Sequence, residues 1–253
     1  MRMNIILRTA LLAMLLLPAA TAAVETPLRI ATFSYPPYIR DNAPQPPTGV
    51  AAEIVDTAFQ RMHRPVAFEF LPFRRALAYL SEGTSDALFT LRKTPERERH
   101  YHYSRLPLLQ QDVVVFARTG APLRFTGDLH QLTGHAIGVV HRTSYGAAFD
   151  ALSAAGQFRK LEFSASHEMN FRKLLGGRMD VVICSREVGL AIVRELGASQ
   201  KIKVMGPPVG RYDSYLVFNK KTVAPALVAD FDQQIVEMEK DGTLARLRRK
   251  YAL

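Results

Sequence analysis

Apolar positions along this chain recur with two periods, and stretches of the two periods alternate. "LRIATF" (28–33) is an apolar run of strand length, followed by "SYPPYIRDNAPQPPT", which its prolines and asparagines keep irregular. From Gly49, "VAAEIVDTAFQRM" places Val50, Ile54, Ala58 and Met62 four apart with Val55 and Phe59 beside them. That spacing predicts an amphipathic helix, capped by Thr48. "PVAFEFL" then reads as a strand, "FRRALAYLSEG" as a helix and "DALFTL" as a strand, before a long extended segment, "LLQQDVVVFAR" (108–118). The same grammar repeats: strand "HAIGVV", helix "SYGAAFDALSAAG" closed by Gly156, strand "FRKLEF", helix "HEMNFRKLLGG", strand "DVVIC", helix "REVGLAIVRELG", strand "KIKVM". After "GPPVGRY" comes a second extended segment, "SYLVFNK" (214–220), and two closing helices, with Gly242 ending the first and Thr243 capping the second.

Strands alternating with helices predict an α/β fold with parallel sheets. Two such units joined by extended segments near 108–118 and 212–219 predict two lobes, two hinge crossings and a cleft between them. Residues 24–116 would form the first part of lobe 1 and 117–213 lobe 2, with 214–253 returning to lobe 1. Ligands of open α/β sheets sit outside the carboxyl ends of the strands, so the loops after Phe33, Leu88, Val140 and Cys184 are expected to build the cleft.

Residues 1–23 change the reading of the charge. Arg2 and Arg8 precede an apolar stretch from Ala10 to Leu17, then Pro18 and small residues. This is the three-part pattern of a secretory signal, cleaved near Ala22 or Ala23. It predicts a soluble periplasmic protein. A single cysteine, Cys184, allows no internal disulfide and stands too far from the signal to carry a lipid anchor. The formal charge of +10 would suggest nucleic acid in the cytosol, whereas outside it anionic ligands or solubility are the better explanations.

Three stretches carry candidate chemistry. In "LRKTPERER" (91–99), Thr94-Pro95-Glu96 is a favourable helix opening, and Arg97 would project from a short rigid turn after a buried strand. A guanidinium held in this way can take a carboxylate bidentately, although the same charges also suit a solvated face. Thr143 and Ser144 stand at the mouth of the second unit's first helix, either as an anion site or as a simple N-cap. Phe33, Tyr35, Tyr38 and Phe73 offer aromatic walls for a ligand, or core packing. His100 and His102 would share a face of an extended segment, but no carboxylate or thiol joins them at ligand-like spacing, so no metal is expected. There is no Ser-His-Asp motif, P-loop or dinucleotide fingerprint, and no cofactor is expected.

From about Leu28 to Tyr251, the order and spacing of several motifs resemble the family 3 periplasmic solute-binding proteins. They are "YPPY" with "PTGVAAEIVDTAF", "GTSDALFTLRKTPERERHYHYS", "LTGHAIGVVHRTSYG", "LLGGRMDVVI" and "MEKDGTLARLRRKY". That family serves ABC importers of polar amino acids. The resemblance implies that Arg97 binds a ligand carboxylate, that Thr90 and the Thr143/Ser144 pair add donors, and that Tyr35 and Phe73 form walls. Arg92 stands where the family prefers a small hydroxyl residue, and Arg142 where glycine is common. Ser185 replaces the aspartate that usually holds a ligand ammonium, and Glu187 could substitute only by swinging into the cleft. Asp180 is expected to be structural.

The leading expectation is a monomeric binding module and not an enzyme. It would close on a small carboxylate-bearing solute and dock on an inner-membrane permease. The resemblance also implies two alternatives. One is a dehydratase acting on a cyclohexadienyl acid in the same cleft, with Glu187, Glu168 or His167 as acid or base. The other is a sensor or accessory protein without an importer.

Overall fold

The computed structural model describes residues 26–251, so the segment read as an export signal lies outside the described residues. The first half of the chain runs β1 (Leu28–Thr32), α1 (Val50–Arg61), β2 (Val66–Phe70), α2 (Phe73–Glu82), β3 (Ala87–Leu91), α3 (Pro95–His100), β4 (Tyr101–Tyr103) and β5 (Leu109–Arg118). The second runs β6 (Ala136–Val140), α4 (Ala147–Ala154), β7 (Lys160–Ser164), α5 (His167–Leu175), β8 (Val181–Ser185), α6 (Arg186–Glu195), β9 (Ile202–Asn219), α7 (Pro225–Lys240) and α8 (Thr243–Lys250).

The strands lie in the order β2-β1-β3-β9-β5-β8-β6-β7, with β4 also on β9. β1 pairs in parallel with β2 and β3, and β6 in parallel with β7 and β8. Between these parallel portions run β5 and β9, antiparallel to each other and to their outer neighbours. The two parallel portions are the sheets of two lobes, and β5 and β9 are the two crossings predicted from the extended segments.

β9 is longer than the sequence suggests. "GPPVGRY" reads as a break, yet one strand of 18 residues runs through it. The Val113↔Gly210 pair is followed directly by Val115↔Met205, so residues 206–209 bulge out of the ladder. Pro207 and Pro208 have no N–H to donate, and the bulge places them where none is needed.

Three helix starts also differ from expectation. α1 is capped by Gly49 at φ 106° and not by Thr48, whose backbone instead pairs with Arg40. A Cβ at Gly49 would lie 2.4 Å from the Tyr38 carbonyl oxygen, and the same oxygen accepts from Ala51 N, so the loop after β1 closes onto the helix. α4 begins after Gly146, three residues beyond the expected Thr143/Ser144 start. α8 is capped by left-handed Gly242, with Thr243 as its first residue. His100 ends α3 while His102 lies in β4, so the two histidines do not share an extended segment.

The tail packs back on the first lobe. α1 turns Ile54, Val55, Ala58 and Phe59 inward, and the Phe59 ring meets Phe231 of α7 at 5.4 Å. At the entry to β3, the Asp86 carboxylate accepts from the backbone N–H (2.9 Å) and Nε (3.3 Å) of Arg29, fixing β3 beside β1. No helix among the described residues is long and apolar enough to cross a membrane.

Candidate functional site

The carboxyl ends of β1, β2, β3, β6 and β7 converge on a cavity of about 390 Å³, within the range of ligand-sized pockets. From the first lobe, Phe33, Tyr35 and Asp41 of the loop after β1 line it, with Phe70, Leu71 and Phe73 around the β2–α2 turn. Thr90 and Arg92 come from the end of β3, and Arg97 from α3. The opposite side is Val140, Thr143 and Ser144 after β6, and Ala165, Ser166 and His167 where β7 enters α5.

The Thr94-Pro95 turn forms as expected: Thr94 Oγ1 accepts from the Arg97 N–H at 3.3 Å with Pro95 at the first helical position. Glu96, Glu98 and Arg99 are exposed, whereas Arg97 and Arg92 are half-buried. Arg97 Nη1 donates to the Arg92 carbonyl (3.1 Å) and Nη2 to the Arg142 carbonyl (2.8 Å). Arg92 Nη1 reaches the Ser144 carbonyl at 2.7 Å, and its guanidinium lies 4.9 Å from the centre of the Tyr212 ring. Both arginines thus reach from the first lobe to the 142–144 loop of the second, with further N–H donors uncommitted. Burial pulls the Arg97 pKa below its ordinary value. The two side chains also line a second cavity of about 800 Å³, toward Lys93, Asp150 and Arg211, so they form part of the wall between two spaces.

Two residues flanking the cavity hold left-handed backbone without being glycine: Thr90 at φ 65° and Arg142 at φ 61°. Thr90 lies where the β3–β9 register shifts between Leu88 and Leu91, and its hydroxyl donates to the Phe89 carbonyl. At Arg142 the carbonyl accepts from Arg97, while the side chain lies outside the 390 Å³ cavity.

The hydroxyl pair forms neither an open helix mouth nor the N-cap of α4, which is Gly146. Ser144 Oγ donates to the Asp150 carboxylate, which also accepts from the Tyr145 N–H at 3.0 Å. Asp150, in the first turn of α4, therefore occupies the helix's positive end.

Ser185 does not line the cavity, and the loop after Cys184 contributes nothing to it. The crossing strand β5 inserts Gln111 instead. Its Nε2 donates to Ser185 Oγ (3.1 Å) and Tyr35 Oη (3.2 Å), and its Oε1 accepts from Ser214 Oγ (3.2 Å). All four residues are buried, and burial pushes the Tyr35 hydroxyl up to about 12. Glu187 lines a neighbouring space with Asp112 and Arg186, away from the cavity. Gln111 escaped the sequence reading; its one signal is a polar run, Gln110-Gln111-Asp112, ahead of the apolar stretch of the crossing strand.

Aromatic rings form a continuous shelf. Phe73 meets Phe33 edge-on at 4.8 Å, Phe33 meets Tyr35 at 5.5 Å, and Tyr35 meets His167 at 5.8 Å. His167 Nδ1 is buried without a hydrogen-bond partner. Desolvation, aided by the charge of Arg92, lowers the His167 pKa to about 4, so the ring is neutral at pH 7. Among the described residues no three His, Cys, Asp or Glu side chains gather as metal ligands.

The sequence model of the bacterial extracellular solute-binding proteins, family 3, matches residues 28–253. The chain belongs to that family. A curated relative, the probable amino-acid-binding protein YxeM of Bacillus subtilis (strain 168), is 22% identical over 222 residues, covering 86% of this chain and 80% of that protein. Among solved structures, a histidine kinase sensor domain with similarity to periplasmic binding proteins superposes with a TM-score of 0.79 at 18% identity, covering 90% of this chain and 96% of that one. An ancestral arginine-binding protein bound to arginine gives 0.78 at 20% identity, covering 90% and 98%. This family 3 chain therefore has the two-lobed periplasmic-binding-protein fold, with its cavity between the lobes.

Proposed function

We propose that this chain captures a small carboxylate-bearing solute in the 390 Å³ cavity and delivers it to an inner-membrane ABC permease. The observation that carries the reading is the arginine pair: Arg97 and Arg92 line the cavity from one lobe and donate to the 142–144 loop of the other. A carboxylate entering there meets two guanidinium groups whose remaining N–H donors suit it. Thr143 and Ser166 supply hydroxyls not already donated within the protein, while those of Thr90 and Ser144 are committed to Phe89 and Asp150, and Tyr35 and Phe73 form the walls. Hinge motion about β5 and β9 would expose the site, and a solute touching both lobes favours closure by its differential affinity for the closed state.

In this reading residues 24–116 and 214–253 move as one lobe and 117–213 as the other, residues 1–23 direct export to the periplasm, and the receptor works as a monomer. The relatives known as amino-acid-binding proteins support a small-molecule ligand.

A thermal-shift screen of amino acids, oxo acids and dicarboxylates on the purified protein tests the reading, because a ligand that binds only the folded form raises its melting temperature. Arg97→Ala should abolish the shift, while the ligand-free variant still melts cooperatively as a folded protein. Unimpaired affinity of Arg97→Ala by calorimetry would remove Arg97 from the site.

A further inference from the structure

We infer that the preferred ligand is a carboxylate with an apolar, planar body and no ammonium group, such as an aromatic oxo acid. This rests on the solute-binding reading above and narrows its ligand class.

The charges lining the cavity are unbalanced. Arg92 and Arg97 both line it, and against them stands one carboxylate, Asp41. Asp41 is exposed on the loop after β1, and its Oδ1 accepts the Ala43 N–H at 3.0 Å, so it belongs to the mouth. The other acidic groups nearby are committed elsewhere. Asp150 holds Ser144 and Tyr145, and Asp112 pairs with Arg211 at 2.7 Å. Glu187 faces the neighbouring space.

The polar floor is neutral and largely self-satisfied. The Gln111 amide is shared among Tyr35, Ser185 and Ser214, and neutral His167 closes one end of the aromatic shelf. An ammonium seated there would leave water without a carboxylate partner, and would lie in the field of two guanidinium groups. Aromatic faces attract cations, but weakly beside that desolvation. A carboxylate on Arg92 and Arg97, with its apolar body over Phe33, Tyr35 and Phe73, places the ligand's single charge against both guanidinium groups.

Calorimetry on matched pairs that differ only at the α-nitrogen tests this: phenylpyruvate against L-phenylalanine, and 4-hydroxyphenylpyruvate against L-tyrosine. The oxo acid is expected to bind at least tenfold more tightly in each pair. Tighter binding of either amino acid would overturn the inference while leaving solute binding intact. So would amino-acid binding that Asp41→Asn abolishes, since the ammonium would then sit on Asp41. If the broad thermal-shift screen finds no ligand of any class, the solute-binding reading itself falls, and the inference with it.

Discussion

Arg92 Nη1 donates a 2.7 Å hydrogen bond to the carbonyl oxygen of Ser144, tying the end of β3 to the approach of α4. The bond crosses from one lobe to the other, so it favours the closed arrangement in its own right. A hydrogen bond from a charged donor contributes about 1.5–3 kcal/mol when well formed. Arg92→Met should therefore shift the ligand-free protein toward open conformations, seen as a larger radius of gyration in solution scattering. An unchanged radius would show that the bond does not hold the lobes together.

Arg142 offers the opposite case. Its backbone is left-handed, its side chain is exposed, and only its carbonyl serves Arg97. Left-handed backbone costs a residue with a Cβ roughly 1–2 kcal/mol, partly offset by the extra freedom glycine has when unfolded. Arg142→Gly should leave thermal stability unchanged or raise it by up to about 1 kcal/mol, with ligand affinity retained. A loss of affinity would assign the side chain a role in the site.

His167 links the site to pH. Its folded pKa of about 4 lies below the ordinary 6.5, so between those values the unfolded chain binds the extra proton. Stability must then rise with pH across that window, with a slope of at most about 1.4 kcal/mol per pH unit, and flatten above it. Denaturation of His167→Gln between pH 4 and 7 should show a shallower slope than the parent. Parallel slopes would mean that His167 titrates normally.

Asp86 works in the opposite direction. Burial alone would raise its pKa, but hydrogen bonds from Arg29 and Thr222 more than offset this and hold it below the usual 3.8. Its contribution is complete above the unfolded value and is lost as pH falls through the folded one. Asp86→Asn should cost about 1.5–3 kcal/mol at pH 7, and the gap to the parent should close in acid. A gap that persists at low pH would indicate damaged packing at the β1–β3 register instead.

The alternation of strand and helix periods, the two crossings and the Arg97 turn are legible in the sequence because each depends on local spacing. The Thr94-Pro95 opening fixes where Arg97 starts, whatever surrounds it. What escapes is set by distant chain. Gln111 reads as a polar interruption of β5 until the fold brings Tyr35, Ser185 and Ser214 around it. Ser185 holds the matching sequence position, yet Gln111 fills the space between it and Tyr35. The continuity of β9 is hidden by Pro207 and Pro208, which look like a break but sit in a bulge. Thr143 and Ser144 look like a free helix mouth until Asp150 turns back onto Ser144.

The boundary between the 390 Å³ cavity and the 800 Å³ space beside it includes the side chains of Arg92 and Arg97. That stretch of wall is set by rotamers and three hydrogen bonds to carbonyls, which can rearrange while the main chain keeps its course. On the proposed reading, side chains and not the backbone would then set the length of solute admitted. A longer anion could turn the two guanidinium groups aside and thread between them, so one backbone could serve ligands of unequal size.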